Sequence, residues 1–244
     1  PMSWVYAREG RCLLDYERTV ALRARRSFFV TENEVALFRG LAPDCAQRVD
    51  AVGNGVDAAY FAPEAGRASP YGSAPVVVFT GAMDYWPNID AVQWFAGSML
   101  PVLRRQWPTL QFYIVGRSPP PAVSALASEA VVVTGTVPDV RPYLQHARVV
   151  VAPMRVARGV QNKILEAMAM ARPVVTVASC AAAIGAREGE ELVSAASEED
   201  LAAAVDGFLR DEPRAAAVGA AGRHCVLERF SWEAHLRGVD RYLP

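Results

Sequence analysis

The feature that most constrains the fold is a series of short apolar segments that recur along the chain, with helical stretches between them. Each segment is rich in β-branched residues and continuously apolar, a pattern typical of strands buried on both faces of a sheet. Strands that alternate with helices need crossover connections. The sequence therefore predicts an α/β fold with a doubly wound parallel sheet of about six strands. The clearest segments are Val76–Thr80, Gln111–Val115, Val131–Thr134, Val149–Ala152 and Val174–Val177.

The segments between these strands have the residue spacing of helices. The longest predicted helix runs from Asn88 to about Trp107, with an apolar stripe that includes Val92 and Phe95. The others are Pro138–His146, Asn162–Ala171, Glu198–Arg210 and Arg214–Arg229.

The first part of the chain has a separate pattern. It predicts a helix over Ala7–Arg25, a strand over Ser27–Val30, a helix from Thr31 to about Leu41 and a strand over Gln47–Val52. These elements are interpreted as the closing part of a preceding domain.

Changes in composition suggest the domain boundaries. Residues 1–57 are predicted to be the end of an N-terminal domain, and residues 58–75, which are rich in Pro, Gly, Ala and Ser, a linker. Residues 76–230 are predicted to form the main domain. Residues 231–244 are predicted to form a final helix over Ser231–Leu243, with Ser231 as its N-cap.

Composition excludes several classes of function. The net charge is −1, so nothing favours nucleic acid or an anionic membrane as partner. The four cysteines are far apart in sequence, which argues against a zinc site or a disulfide framework and favours a cytoplasmic protein. No GxGxxG motif follows a strand, which disfavours a dinucleotide cofactor, and no paired carboxylates that would call for a metal follow one.

Ligands of open parallel sheets bind at the carboxyl ends of the strands, so the residues that follow each strand are the candidates for a site. Gly81 follows the first predicted strand and could form a plain turn or let a ligand approach. Gly116 and Arg117 follow the second, and the guanidinium could contact a phosphate or water. Val137 and Asp139 follow the third; the backbone of Val137 could read the edge of a base, and Asp139 could simply cap a helix.

The segment after Val149–Ala152 is the most informative. A loop that contains Gly159 leads into a helix N-terminus, where free N–H groups and the helix dipole attract phosphate. Lys163 and Glu166 are three residues apart and share one face of that helix. Lysine could neutralise a diphosphate while the carboxylate accepts hydrogen bonds from a diol. The residues alone leave open an ordinary ion pair on a solvated helix face.

The motifs as a set resemble a known family, the retaining GT-B glycosyltransferases of group 1. Asn54-Gly55-Val56-Asp57 resembles the signature at that family's domain junction, and Lys163–Ala169 followed by Pro173–Val175 resembles its LEAMA–PVV segment. The sequence around Lys163 is also similar to that of sugar transferases associated with exopolysaccharide or exosortase systems. Further positions in matching order are Gly81, Gly116 and the Val137–Asp139 loop.

The resemblance implies that this chain contains the second of the family's two Rossmann-like domains, the one that binds the nucleotide sugar. Residues 1–57 would be a remnant of the acceptor-side domain. It implies that Glu166 holds the donor ribose, that Lys163 lies near the diphosphate and that the Gly159 loop approaches the sugar or phosphates. The Val137 loop would contact the base. The donor-binding set implied in this way is Gly81, Gly116, Arg117, Val137, Asp139, Gly159, Lys163, Leu165 and Glu166; the catalytic residues stay unassigned.

Two departures from the family pattern stand out. Many members have a glutamate eight residues before the position of Glu166, where this sequence has Arg158. Many also have a basic residue in the loop after the first strand, and here that loop has none. The negative charge of the phosphates would then be neutralised by Lys163, Arg117 or Arg155, together with helix N–H groups.

The resemblance implies that the full-length protein transfers sugar from a UDP- or GDP-linked donor to a hydroxyl acceptor, with retention and without a cofactor, in polysaccharide or glycoconjugate biosynthesis. This chain alone is expected to bind donor but to transfer sugar poorly. A membrane contact at the inner face is expected only through a preceding N-terminal part. One alternative is a non-catalytic GT-B relative that binds a nucleotide or a partner protein, favoured by Arg158. Another is a GT-B epimerase.

Overall fold

The computed structural model describes residues 2–157, 159–240 and 242. The chain divides into two compact units. One comprises the described residues of Pro1–Asn54 and His235–Pro244, and the other is Gly55–Ala234. The first division falls inside the Asn54–Asp57 motif, between Asn54 and Gly55.

The smaller unit contains helix α1 (Met2–Arg23), strand β1 (Ser27–Phe29), helix α2 (Glu32–Leu41), a 3₁₀ turn (Pro43–Arg48) and strand β2 (Val49–Ala51). The two strands pair in parallel. The predicted strand over Gln47–Val52 is therefore shorter than expected, because its first residues belong to the 3₁₀ turn.

Helix α2 starts at a strong sequence signal. The Thr31 hydroxyl accepts a hydrogen bond from the Glu34 N–H at 3.2 Å, and the Glu34 carboxylate accepts one from the Thr31 N–H at 3.0 Å. This reciprocal capping satisfies two backbone donors that would otherwise lack a partner at the helix start. Val35 and Phe38, one turn further on, pack in the core of this unit.

The larger unit is built on a six-stranded, wholly parallel sheet with the order β5-β4-β3-β6-β7-β8. All residues of β3 and β6 are buried, as expected for strands covered on both faces. The predicted α/β class with a doubly wound parallel sheet is confirmed. The strands are β3 (Val76–Thr80), β4 (Gln111–Val115), β5 (Val131–Gly135), β6 (Val149–Ala152), β7 (Val174–Val177) and β8 (Val193–Ala195).

Nine described α-helices belong to the larger unit or lead out of it, and a π-helical turn at Phe95–Met99 joins α3 to α4. The second division of the chain falls within α11, between Ala234 and His235. No helix in the described part of the chain is long and apolar enough to cross a membrane. The helices are α3 (Trp86–Trp94), α4 (Leu100–Arg104), α5 (Pro121–Ser124), α6 (Arg141–His146), α7 (Asn162–Ala169), α8 (Ala178–Ile184), α9 (Glu198–Arg210), α10 (Glu212–Arg229) and α11 (Trp232–Asp240).

Several helix boundaries differ from the predictions. The helix predicted over Asn88–Trp107 starts earlier and is interrupted by the π-helical turn, after which Pro101 lies in the first turn of α4. Helix α6 starts at Arg141 rather than Pro138, because the Asp139 carboxylate accepts a hydrogen bond from the Arg141 N–H at 2.9 Å. Ser231 caps α11 by accepting from the Ala234 N–H, and α11 is described to Asp240; Leu243 lies outside the described residues.

The strand order places a reversal between β3 and β6. The chain moves outward from β3 through β4 to β5, then returns to β6 and continues outward to β8 on the other side. In open α/β sheets the crevice at such a reversal, outside the carboxyl ends of the strands, is where ligands bind. The residues that follow β3, β4 and β6 therefore line the candidate site.

Candidate functional site

Two glycines form the edge of the sheet next to the strand reversal. Gly81 follows β3 and Gly116 follows β4, and the Gly81 N–H donates to the Val115 carbonyl at 3.0 Å. Both glycines have a φ of +156°, which other residues rarely adopt. A Cβ on Gly116 would overlap the carbonyl oxygen of Gly81 and lie 2.7 Å from its carbonyl carbon. Glycine is therefore required at position 116, where the Gly81 backbone occupies the place of a side chain.

Lys163 reaches this edge from the first turn of α7. Its Nζ donates a hydrogen bond to Asn88 Oδ1, lies 3.7 Å from Met154 Sδ and lies 4.3 Å from the centre of the Phe79 ring. A Cβ on Gly81 would lie 3.1 Å from the same Nζ. The ammonium is thus held between β3, α3 and the loop after β6, directly beside the glycine edge.

Asn88 is a site residue that the sequence analysis missed. It lies in the first turn of α3 and is 4% exposed. Its Nδ2 donates to the Ala82 carbonyl at 2.7 Å, so its Oδ1 faces Lys163. Nothing in the local sequence separates Asn88 from an ordinary helix-start residue, because its partner lies 75 positions further along the chain.

Burial shifts the ionisation of both charged residues on this face of α7. It lowers the pKa of Lys163 from 10.5 to about 8, against an opposing attraction from Glu166 and Cys180. It raises the pKa of Glu166, against an opposing attraction from Lys163. Both shifts have the same cause, since removal of water disfavours the charged form of each group. Such shifts cluster at functional sites.

Lys163 is also the only lysine in the sequence; the chain's 25 lysine and arginine residues are otherwise all arginine. Lysine is a compact cation whose pKa shifts readily on burial, whereas arginine stays charged and needs room for a planar fork. The one lysine of the chain is thus also a half-buried cation at the carboxyl edge of the sheet.

Glu166 lies one turn after Lys163, yet none of the salt bridges among the described residues joins the two. The Glu166 carboxylate accepts no hydrogen bond from any described residue, and neither of its oxygens is fully buried. The alternative that Lys163 and Glu166 form an ordinary ion pair is therefore not supported, because no such pair is present among the described residues. The carboxylate is available to accept hydrogen bonds from a hydroxyl group.

Thr80, the last residue of β3, adds a buried polar atom below the glycine edge. The residue is 4% exposed, and its Oγ1 has no hydrogen-bond partner among the described residues. Buried hydroxyls in native proteins are nearly always paired, so an unpaired one next to the candidate site is a feature that calls for a partner.

The residues predicted in the loop after β5 have structural partners. Asp139 receives three side-chain hydrogen bonds from Arg141, at 2.7 to 3.0 Å, and these lower the pKa of the Asp139 carboxyl group. The Arg141 guanidinium in turn lies 4.0 Å from the centre of the Tyr60 ring. The side chain of Val137 is half-buried against the core. Asp139 is thus engaged by Arg141, both through its side chain and through its N–H, at the start of α6.

The other predicted residues are arranged as follows. The Arg117 side chain is exposed, and its carbonyl accepts from the Met83 N–H at 2.8 Å. Gly159 has a left-handed φ of +67° in the loop before α7. The Leu165 side chain is fully buried in the core, so only its backbone could contact a donor. Arg158 lies outside the described residues.

Arg155 is less available for phosphate than the sequence suggested. Its Nε donates to Asp90 at 3.0 Å, and its guanidinium lies 4.9 Å from the centre of the Trp94 ring. The Asp90 carboxylate raises the pKa of Arg155 and compensates its charge. Among the described residues, no cluster of three or more metal-ligating side chains is present.

The chain is similar in fold to several solved glycosyltransferase structures. Sucrose-phosphate synthase from Thermosynechococcus elongatus matches with a TM-score of 0.73 at 20% identity, over 94% of this chain and 60% of that one. HepE from Anabaena, solved in complex with UDP and glucose, matches with a TM-score of 0.72 at 16% identity, over 94% of this chain and 66% of that one. These likenesses confirm the predicted GT-B type of α/β fold.

A third match is the C-terminal domain of a group 1 glycosyl transferase, LpcC, from Francisella tularensis. It has a TM-score of 0.58 at 18% identity and covers 73% of this chain and 100% of that one. The chain spans 60 to 66% of the length of sucrose-phosphate synthase and HepE. No curated protein gives a significant match in sequence.

The family model described as glycosyl transferases group 1 matches residues 74–211, more than half of the chain. The matched segment includes every strand of the six-stranded sheet together with Asn88, Lys163 and Glu166. The chain therefore belongs to the group 1 glycosyl transferases.

Proposed function

We propose that this chain is the donor-binding half of a retaining glycosyltransferase, which transfers sugar from a nucleotide-diphosphate sugar to a hydroxyl acceptor. The observation that carries the proposal is that a half-buried Lys163 ammonium lies beside the glycine edge, with the Glu166 carboxylate on the same helix face and not engaged in a salt bridge with it. We place the reaction of the full-length protein in polysaccharide or glycoconjugate biosynthesis.

The geometry suits a diphosphate. The Lys163 ammonium lies at the N-terminal turn of α7, where the helix dipole also favours negative charge. Because residues 81 and 116 are glycines, no side chain of their own covers the backbone at this edge, which suits the approach of phosphate oxygens. Partial burial strengthens the attraction between the ammonium and the phosphates, because little water screens it.

The same geometry suits a ribose. Glu166 follows Lys163 by three residues on the same face of α7, so a group bound beside the ammonium lies within reach of the carboxylate. An ionised carboxylate accepts strong hydrogen bonds from a pair of neighbouring hydroxyls. Burial raises the pKa of Glu166, whereas the nearby Lys163 ammonium and the hydroxyls of a bound diol both favour the charged form of the carboxylate.

The relatives support this reading of the site. The HepE structures were solved with UDP and with UDP-glucose, and the Francisella C-terminal domain was solved as a separate molecule. We propose a UDP- or GDP-linked donor, and the experiment below identifies the base.

Calorimetric titration of the chain with UDP, GDP and ADP tests the proposal. We expect one nucleotide to bind, and we expect Glu166→Ala to weaken it about tenfold, roughly the contribution of a charge-assisted hydrogen bond. Glu199→Ala is the matched control, because Glu199 is an exposed carboxylate on α9. Equal affinity of the wild type and Glu166→Ala, or no binding of any nucleotide, would contradict the proposal.

The sequence supports a second candidate, a GT-B relative that binds a nucleotide without transferring sugar. Arg158 replaces a glutamate that many family members have, and this is the observation that favours it. Nucleotide binding by the full-length protein, with neither transfer nor hydrolysis of the donor, would support this candidate over the transferase.

A further inference from the structure

We propose that Asn88 is a positioning residue of the donor site, which holds the Lys163 ammonium against the glycine edge so that its charge faces the bound diphosphate. The role rests on the proposed function, and it assigns a task to a buried residue that the sequence did not single out. Asn88 is not expected to contact the reacting atoms. Its effect on the donor is expected to pass through Lys163.

The Asn88 amide can adopt only one useful orientation. Its Nδ2 donates to the Ala82 carbonyl at 2.7 Å, and its own backbone N–H donates to the Tyr85 carbonyl at 2.9 Å. A rotated amide would place an oxygen against the Ala82 carbonyl and an N–H₂ group against the Lys163 ammonium, which are two repulsive contacts. The loop after β3 therefore fixes Asn88 Oδ1 as the acceptor for Lys163.

The other neighbours of the ammonium hold it weakly. Met154 Sδ is a weak acceptor, and the Phe79 ring contributes an attraction without fixing a direction. Among the described residues, the ionisable groups that act on Lys163 are Glu166 on its own helix and Cys180 on α8. Without Asn88, the strongest attraction for the ammonium would be Glu166.

A neutral acceptor has a specific advantage at this position. If the ammonium moved to Glu166, each charge would compensate the other, and neither would be free for the donor. The amide of Asn88 orients the ammonium but leaves its full positive charge uncompensated. A carboxylate at position 88 would hold the ammonium equally well, yet it would cancel the charge that attracts the phosphates.

The proposal predicts opposite effects of two substitutions on the ionisation of Lys163. Asn88→Asp adds a negative charge beside the ammonium, so the pKa of Lys163 should rise. Asn88→Ala removes the hydrogen bond to the charged form, so the pKa should fall. Both variants should bind the nucleotide about tenfold more weakly, since one loses the free charge and the other loses its position.

The single lysine makes the ionisation measurable without ambiguity. A chain labelled with ¹³C,¹⁵N-lysine gives one lysine spin system, and its Cε chemical shift followed against pH reports the titration of Lys163. Gln145→Ala is the matched control, because the Gln145 amide also accepts from a cation, Arg67, away from the glycine edge. The control should leave the Lys163 titration unchanged. Far-UV circular dichroism shows which variants fold, and either Asn88 variant alone tests its own direction.

Calorimetry with the nucleotide bound by the wild type forms the second arm. If Asn88 acts through Lys163, Asn88→Ala should weaken binding in the wild type but cause no further loss in Lys163→Met. The pH above which affinity declines should also move with the Lys163 titration of each variant. A purely structural role for Asn88 would move neither readout.

The two arms separate the possible failures. A Lys163 titration that is unchanged in both Asn88 variants, with nucleotide still bound, overturns the role of Asn88 and leaves the proposed function intact. A wild-type chain that binds no UDP, GDP or ADP overturns the proposed function and, with it, the donor role of Asn88. Additive losses in Asn88→Ala and Lys163→Met show that Asn88 acts independently of the ammonium, and they also overturn the inference.

Discussion

Replacement of Lys163 by methionine should change how the stability of the chain depends on pH. Methionine has a similar length and no charge, so it removes the ammonium while keeping most of the packing. The pKa of Lys163 is about 8 in the fold against an ordinary value of 10.5. At about 1.4 kcal/mol per pKa unit, the buried charge costs the folded state about 3 kcal/mol at neutral pH.

The sign of the pH dependence follows from the direction of the shift. Because the folded pKa is lower than the unfolded one, the unfolded chain binds more protons between about pH 8 and 10.5. The free energy of unfolding of the wild type therefore rises with pH across this window. At about pH 9.5 the cost of the buried charge has fallen to roughly 1.4 kcal/mol.

Lys163→Met lacks this titration. It leaves Asn88 Oδ1 without a donor, which costs about 1–3 kcal/mol at every pH, so its absolute stability at pH 7 is a poor test. The diagnostic quantity is the change in the difference between the two proteins. Between pH 7 and about 9.5, the free energy of unfolding of the wild type should rise by roughly 2 kcal/mol relative to that of Lys163→Met.

Urea unfolding followed by circular dichroism at several pH values measures this difference. Arg105→Met is the control, because it removes an exposed cation that stays charged throughout this range. Its difference from the wild type should be constant with pH. If the difference for Lys163→Met is also constant, Lys163 titrates at its ordinary value, and the ammonium is hydrated rather than buried.

Two further predictions concern glycines, with Gly207→Ala in α9 as a common control because its new Cβ would meet only the flexible Arg214 side chain at 3.6 Å. Gly116→Ala should lower the free energy of unfolding by about 3 kcal/mol or more and abolish nucleotide binding, because its Cβ would overlap the Gly81 carbonyl. Gly219→Ala should lower the free energy of unfolding to a similar extent without a direct effect on the site, because its Cβ would lie 2.8 Å from the carbonyl carbon of Ala171. The control Gly207→Ala should instead raise the free energy of unfolding by about 0.5–1 kcal/mol. Equal effects of the three substitutions in urea unfolding would contradict the packing argument.

The sequence predicts an element of this fold well where burial alone determines it. Strands such as β3 and β6 are covered on both faces, so an uninterrupted apolar run identifies them. The edge strand β8 was not predicted, because it has three residues and a polar one, Ser194, at its centre. Helix α8 was missed for a related reason: its apolar residues continue directly from β7, and only the left-handed Gly185 marks its end.

The candidate site was predictable only where its residues are close in sequence. Lys163 and Glu166 lie on one helix turn, so their spacing alone places them on one face. The partners that decide their chemistry come from distant segments, as Asn88 does for Lys163 and Asp90 does for Arg155. The sequence pattern thus suggested Arg155 as a phosphate ligand, although a carboxylate from another helix already compensates it.

The choice of lysine at position 163 follows from the same geometry. Four groups surround the ammonium closely: the Asn88 amide, Met154 Sδ, the Phe79 ring and the backbone at Gly81, where a Cβ would lie 3.1 Å from Nζ. A planar guanidinium needs partners for five donors, and it could not give up its charge to relieve burial. An ammonium needs fewer partners, and the deprotonation that its lowered pKa permits sets a limit on the cost of burying it. In a chain whose other basic residues are all arginine, lysine is therefore the cation that fits a narrow, poorly hydrated edge and stays free to meet an anionic ligand.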